Sequence, residues 1–594
     1  MITSRNKVSR IGFAALLLAG VGMPALGQDT PESLLPPGFD DPAPTPAPAP
    51  GPAPAPTRAA APVAPVEGVT LPLDNSLGNV AEGEVPQAAT VDLSRYELPE
   101  FARHSLDRVG VLAAGNTAFP ADSFGRSDGR WLQVLMRRMN APIASRWASI
   151  VLRRALMSPL DTPANVNGAD FAADRAWALL RMGEANAARA VIDDIDAENY
   201  TTWLYQVAMQ TALATGDPAA LCPLTGKGAA AIQQRGWALA QAMCAGLAGK
   251  PNEAGQLFDR ARSGTSPSDI DNLLAEKVLG TGAQGRRAVT IEWNSVPQLT
   301  AWRWGLATAT GVEVPAELYQ TAGPQVRYWQ ALAPNIDPAA RAAAAELAAT
   351  AGVFSNAGLV DLYSEIEQSG DSGPGQTIAR DLRTAYTDGD VSNRVKALRT
   401  LWDGADSPRA RYARLILTAR AASWIPANDK VEDPDRLIAA MLSSGYENAA
   451  LEWRGVVKPR SEGWALLALA DPGESRMAVG DVTGFADTGS RRKAQMLAAG
   501  LAGLGRLSAG DAQSVAATLD VPIGGVNAWT QAIDAAGQRG DAATVALLAG
   551  VGMQSVSWDH VAPEALFHIV AAMRAAGMVN YARMIAVEAV TRSA

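Results

Sequence analysis

A repeated spacing of glycines constrains the fold of this 594-residue chain more than any other feature. Gly183, Gly216 and Gly249 lie 33 residues apart, each between two stretches whose apolar residues recur at helical spacing. Glycine adopts positive φ without a steric cost, so each position predicts the turn of a helical hairpin. Apolar residues five and eight positions after each glycine are predicted to form the buried stripe of the second helix: Ala188, Val191, Leu221, Leu224, Ala254 and Leu257.

The same pattern returns near the C-terminus with a looser period. Gly505, Gly540 and Gly577 are separated by 35 and 37 residues. Apolar residues follow the last two at the same offsets, as Val545, Leu548, Ala582 and Ile585. Between residues 265 and 490 helical spacing continues without a regular period, and the best strand candidate, residues 289–293, is too short to form a sheet alone. The sequence therefore predicts an all-α fold.

These hairpins resemble tetratricopeptide-like helical repeats, whose unit is a helix-turn-helix of about 34 residues with small residues where the helices cross. The resemblance covers residues 172–262 and 495–594. It implies an α-solenoid, a superhelix of helical hairpins with a concave surface that binds peptides or proteins. We therefore expect three helical regions, which we call the N-terminal repeats (99–264), the middle region (265–490) and the C-terminal repeats (491–594).

Residues 1–27 have the layout of a secretory signal peptide. Three basic residues precede a short apolar stretch over residues 11–19, and small residues stand just before Gln28. The apolar stretch is short for a membrane span, which needs about 20 residues. We expect export to the periplasm, or anchoring in the inner membrane if the signal is not cleaved.

Residues 28–98 are predicted to be a disordered spacer rich in proline and alanine. Thirteen of the 38 prolines fall between residues 31 and 65, where large apolar residues are scarce. Dense proline favours an extended polyproline conformation and cannot form a core. The folded body is therefore expected to begin near residue 99.

Charge and composition limit the chemistry that the chain can perform. Lys plus Arg number 51 and Asp plus Glu number 60, a net charge of −9, so a nucleic-acid partner is not expected. Three histidines leave little material for a metal centre, and we expect no cofactor. The two cysteines, Cys222 and Cys244, belong to a chain predicted to enter an oxidising compartment, so we predict that they form a disulfide.

Two short motifs suggest catalysis or metal binding, and each lacks a required element. Residues 370–374 match part of the nucleophile loop of chymotrypsin-like proteases, but no histidine motif accompanies them, and we interpret them as a glycine-rich turn. His560, Glu564 and His568 are spaced by four like zinc ligands on one helix. Proline favours the first turn of a helix, so Pro563 predicts a helix that begins after His560 and separates the set.

Trp302, Arg303 and Trp304 are the candidate partner contacts. Two residues that are two positions apart do not share a helical face, so one of the tryptophans is expected to be exposed. Tryptophan and arginine dominate binding hot spots. We therefore hypothesise that this stretch contacts a partner.

Taken together, these features predict an exported helical-repeat protein that acts as a protein-binding or scaffolding module in the cell envelope. No catalytic group of residues survives inspection, and the expected partner is an envelope protein or peptide, with membrane contact only through an uncleaved signal. The alternative is a protein that acts on peptidoglycan or binds glycan, similar to the superhelical part of lytic transglycosylases. Their catalytic domain follows the superhelix, whereas the helical pattern here continues to Val590.

Overall fold

A computed structural model describes residues 99–594 except 114, 116–117, 140–141, 267, 283–288, 371–372, 474 and 594. The predicted signal peptide and spacer lie outside the described residues. Within them, the only strands are β1 (Arg108–Val109) and β2 (Leu160–Asp161), which pair antiparallel. Residues 289–293, the strand candidate, are irregular. The predicted all-α fold is confirmed.

The helices follow one another closely along the described chain. The N-terminal repeats contain α1 (Gly129–Arg138), α2 (Arg146–Met157), α3 (Gly168–Arg181), α4 (Ala185–Asp193), α5 (Thr202–Ala214), α6 (Thr225–Ala231), α7 (Arg235–Leu247) and α8 (Pro251–Ala261). The middle region contains α9 (Ile270–Gly282), α10 (Ala301–Ala309), α11 (Gln325–Leu332), α12 (Pro338–Thr350), α13 (Asn356–Ser369), α14 (Pro374–Thr387), α15 (Val391–Asp403), α16 (Pro408–Ala422), α17 (Pro434–Ser443), α18 (Glu447–Leu451), α19 (Glu462–Ala470) and α20 (Val479–Thr488). The C-terminal repeats contain α21 (Arg491–Gly503), α22 (Ala509–Leu519), α23 (Ala528–Arg539), α24 (Ala542–Gly552), α25 (Pro563–Ala575) and α26 (Val579–Arg592). Short 3-10 helices cover Glu100–Ala102, Ala197–Asn199, Pro218–Leu221, Leu318–Thr321, Glu452–Gly455 and Trp558–His560.

The six repeat glycines form turns as predicted. Each has a φ between +65° and +90° and follows the first helix of a hairpin. The predicted stripe is buried at Ala188, Val191, Leu221 and Ala254, whereas Leu224 and Leu257 are only partly buried. After Gly216 the second element is the 3-10 helix Pro218–Leu221 rather than a full α-helix. The hairpin is therefore the local unit of both repeat regions.

The packing of the hairpins differs from that of a simple solenoid, in which each repeat contacts only its neighbours. Helix α10 packs against both α5 and α9, and α9 packs against α7, so the middle region folds back onto the N-terminal repeats. A β-carbon on Gly305 of α10 would lie 2.5 Å from the carbonyl oxygen of Leu213 in α5. In addition, α24 and α26 pack against α2. The helical array thus closes on itself.

Glu588 of α26 secures this closure by binding the start of α2. Its buried carboxylate accepts hydrogen bonds from the Ser145 hydroxyl at 2.6 Å and from the backbone N–H groups of Arg146 at 2.9 Å and Trp147 at 3.2 Å. Arg592 donates to the same carboxylate at 2.7 Å. The first N–H groups of a helix have no acceptor within the helix. Ser145 is the N-cap of α2, and the C-terminal repeats supply the acceptor for two further N–H groups of its first turn.

Arg153 of α2 contacts both the N-terminal repeats and the middle region. Arg153 donates to the Glu184 carboxylate at 2.7 Å and to the carbonyl oxygen of Gly352 at 2.9 Å. Burial raises the pKa of Glu184 from 4.5 to about 7, although the positive charge of Arg153 opposes that rise. Helix α2 is consequently the place where the N-terminal repeats, the middle region and the C-terminal repeats meet.

Candidate binding groove

Two adjoining cavities lie across the first turns of α16, α17, α19 and α21 and the last turn of α26. Their volumes are about 400 Å³ and about 600 Å³, and they share Asp435, Glu462 and Lys493. The first is also lined by Trp402, Pro408, Arg411, Tyr412, Leu415, Arg436, Ala439, Thr591, Arg592 and Ser593. The second is also lined by Lys458, Pro459, Arg460, Ser461, Phe485, Thr488, Gly489 and Ser490. We call the pair the basic groove.

Local sequence signals start the four helices at this groove. Ser407, Ser461 and Ser490 are N-caps whose hydroxyls accept hydrogen bonds from backbone N–H groups of the first turn, at 3.1, 3.3 and 3.1 Å. Pro408 and Pro434 occupy the first turns of α16 and α17, where a missing N–H costs nothing. Residues of all four first turns line the two adjoining cavities, so these starts lie close together.

The lining is rich in positive charge. Six cationic side chains line the groove, with only two carboxylates, Asp435 and Glu462, among them. The whole chain carries a net charge of −9. Cations therefore outnumber carboxylates among the side chains that line the groove, although the whole chain is negatively charged.

Several of these charges hold one another in place. Lys493 lies 2.7 Å from Glu462. Arg436 lies 2.6 Å from Asp403 and 2.7 Å from Asp433, and its guanidinium stands 5.1 Å from the ring centroid of Trp402. Burial acts against the charged form of Arg436, but hydrogen bonds to Asp433 and Asp403 outweigh it and raise the pKa. These pairs fix the positions of Lys493 and Arg436, and their carboxylates offset the positive charge of both side chains.

Two cations, in contrast, are open to a ligand. Arg411 lines only the first cavity and Lys458 only the second. Both side chains are exposed, and neither has a hydrogen bond or an ion pair within the described part of the chain. An incoming anion would therefore displace no internal partner from either of them.

The floor of the first cavity is built from buried polar groups. Tyr412 is 3% exposed, and the Arg592 guanidinium lies 4.6 Å from its ring centroid. Burial, together with the negative charge of Glu588, raises the pKa of Tyr412, which therefore stays a neutral phenol. The hydroxyl of Ser593 is also buried and has no hydrogen-bond partner among the described residues. The same helix thus closes the array through Glu588 and lines the groove.

The structure places Trp302 and Trp304 in the interior, both 0% exposed. The Trp302 indole donates to the Asp271 carbonyl at 3.2 Å, and the Trp304 ring lies 5.7 Å from that of Trp329. Arg303 binds the Asp271 carboxylate with two hydrogen bonds of 2.8 and 3.0 Å. Because α10 is covered on two sides, by α5 and α9, its two faces are both buried. These three residues are therefore packing residues rather than an exposed contact surface.

Cys222 and Cys244 form a disulfide in the structure, with Cα atoms 5.3 Å apart. The bond joins the end of the 3-10 helix Pro218–Leu221 to α7. It lies in the N-terminal repeats, and neither cysteine lines the basic groove.

The motifs with catalytic or metal-binding features are not assembled into sites. Helix α25 begins at Pro563, and His560 and His568 have different neighbours, Ser555 at 3.2 Å and Asp534 at 2.9 Å. Within the described residues, no three His, Cys, Asp or Glu side chains come together to hold a metal ion. Residues 371–372 of the protease-like motif lie outside the described residues. None of the described helices has the length and apolar character to cross a bilayer.

No protein-family model, no curated protein and no solved structure matches this chain. The groove itself was missed in the sequence because its residues extend from 402 to 593. The sequence does contain a signal. Ser-Pro at residues 407–408 and Asp-Pro at 433–434 mark helix starts, and the cation Arg411 lies just after the first of them.

Proposed function

We propose that this protein is an exported helical-repeat protein that binds a polypeptide partner in the cell envelope, with the basic groove as its contact surface. The observation that carries the proposal is the presence of two exposed cations without an internal partner among the described residues, Arg411 and Lys458, in one groove of an acidic protein. Complementary charge steers a partner to one site and selects against other partners.

The pairing of the groove carboxylates supports binding rather than catalysis. Glu462 is held by Lys493 at 2.7 Å, and Asp435 accepts a hydrogen bond from the Ser461 hydroxyl at 2.8 Å. Ser461 is also the N-cap of α19. Both carboxylates therefore have structural partners that fix the helix starts.

The glycan alternative has less support from the lining. Ligand pockets present aromatic surface to their ligands, together with a few polar groups that fix orientation. The aromatic rings of Trp402, Tyr412 and Phe485 line the two cavities but are each at most 3% exposed. Little aromatic surface is left for a sugar ring, whereas the charged groups are accessible.

Site-specific crosslinking in cells tests the proposal. A photoreactive amino acid is placed at Arg411 or Lys458 in the groove, and at Arg380, an exposed cation on α14, as a matched control. The affinity tag is inserted in the proline-rich segment, because the last turn of α26 lines the groove. We expect one envelope protein to be crosslinked from both groove positions and not from Arg380.

Two results would contradict the proposal. One is equal crosslinking from all three positions, which would indicate random encounter. The other is recovery of wall fragments from the groove without a protein, which would favour the glycan alternative.

A further inference from the structure

We infer that the basic groove recognises an acidic segment of polypeptide, bound through its carboxylates at Arg411 and Lys458. The inference rests on the proposed function and specifies the chemistry of the partner. Three features support it. The groove attracts anions, a buried polar group in it has no internal partner in the part of the chain that the structure describes, and the arrangement of charges fits a peptide better than a compact anion.

The helix starts add to the attraction of the side chains. Helices α16, α17, α19 and α21 have 15, 10, 9 and 13 residues, and all four present their first turns to the groove. The N-terminus of a helix carries a partial positive charge and favours an anion in the first turn. Four helix ends and the two cations without an internal partner in the described chain, Arg411 and Lys458, therefore act in the same direction.

An unsatisfied hydroxyl marks the floor of the first cavity. Ser593 is 3% exposed, lines the cavity beside Arg592, and its hydroxyl has no partner in the described chain. Buried polar groups in folded proteins almost always have a hydrogen-bond partner. A ligand oxygen in this cavity would provide the missing one.

The pattern of charge along the groove favours a peptide over a compact anion such as a polyphosphate. Arg411 belongs to one cavity, Lys458 belongs to the other, and Asp435 and Glu462 belong to both. A compact polyanion would meet these two carboxylates together with the cations. An extended acidic segment places carboxylates at the two ends, and its backbone N–H groups can donate to the carboxylates between them.

Binding of defined peptides to the purified full chain tests this inference. The probe is fluorescein-labelled hexaglutamate, hexaglutamine is the uncharged control, and tripolyphosphate is the competing anion. The variant R411E/K458E is compared with R380E/K227E, which reverses two exposed cations on α14 and α6 outside the groove. Because Arg411 lies in the first turn of α16, glutamate is tolerated there and the fold should persist.

We expect saturable binding of hexaglutamate and none of hexaglutamine. Each charge-assisted hydrogen bond is worth about 1.5 kcal/mol or more, so R411E/K458E should weaken binding by at least about tenfold. R380E/K227E should leave it within about twofold. Replacement S593A should weaken binding about threefold without loss of thermal stability, since no internal hydrogen bond is removed.

The inference is overturned if hexaglutamate does not bind saturably at low salt, if both double variants weaken it equally, or if tripolyphosphate binds the groove and hexaglutamate does not. These failures differ from failure of the proposed function. If the groove positions still crosslink one envelope protein while hexaglutamate does not bind, the acidic ligand is excluded and the groove remains the contact surface.

Discussion

The N-terminal repeats and the middle region are both built from short helices, but they differ in the regularity of their turns. The N-terminal repeats keep a 33-residue spacing of glycine turns, each with a positive φ. The middle region has lost the period, and its helices range from 5 to 15 residues. Three of the four helix starts at the basic groove, those of α16, α17 and α19, belong to it. The groove therefore lies mainly in the region where the glycine period is lost.

Among the changes considered, replacement of Glu588 should lower the free energy of unfolding most. Glu588 binds the start of α2, where the three regions meet. The variant E588A removes the carboxylate partner of Arg592 and the acceptor of the Arg146 and Trp147 backbone N–H groups. Removal of one partner of a buried charged pair costs about 3–5 kcal/mol. Urea denaturation measures the loss. The exposed Glu452 provides the control, and an equally small effect of E452A and E588A would show that the closure contributes little.

The burial of Glu184 should make stability depend on pH. The pKa of Glu184 is raised by burial from 4.5 to about 7, so the folded state binds a proton more tightly than the unfolded state. The contribution of this group is therefore fully present below pH 4.5 and is lost as pH rises to about 7, by roughly 3 kcal/mol in total. Denaturation as a function of pH should show this loss in the wild type and a flatter profile in E184Q. The prediction is contradicted if the free energy of unfolding of the wild type, relative to that of E184Q, rises between pH 4.5 and about 7.

The disulfide should stabilise the N-terminal repeats alone. The cysteines are 22 residues apart, and a cross-link over such a loop is worth about 3 kcal/mol. We expect C222A/C244A to lower the free energy of unfolding by about that amount and to leave ligand binding at the groove unchanged. Loss of binding in a variant that is still folded would show that the two regions are coupled.

Alanine variants of Gly183 and Gly249 should distinguish two free-energy costs, that of a positive φ in the turn and that of a steric clash. A β-carbon on Gly183 would lie 2.4 Å from the ring of Tyr328 in α11, whereas nothing lies within 4 Å at Gly249. Both have positive φ, so each alanine variant loses about 1 kcal/mol from the backbone. The clash should add about 1–3 kcal/mol to G183A only. Equal melting temperatures of G183A and G249A would contradict the close contact with the middle region.

The sequence predicts features that depend on nearby residues. Glycine spacing predicts the turns at Gly183 and Gly540, and Pro563 predicts the start of α25. Burial on two sides is not local. Trp302 and Trp304 cannot share a helical face, but tertiary contacts of α10 bury both faces, which the sequence pattern of that helix does not reveal.

The groove and the closure depend on residues far apart in the chain. Glu588 binds Ser145 across 443 residues. Arg411 and Ser593 line the same cavity, although no helical period relates their positions in the sequence. Contacts of this kind follow from the tertiary packing of helices that are distant in the chain, so periodicity in the sequence cannot report them.

Hydrogen exchange of the complex with the crosslinked partner tests the central claim most directly. Amides in the first turn of a helix lack acceptors within the helix and exchange quickly unless a ligand covers them. The account predicts slower exchange over residues 408–412, 461–464 and 490–493 in the complex, and unchanged exchange at the starts of α3 and α5 in the N-terminal repeats. Protection at α3 and α5 with none at the groove would contradict it.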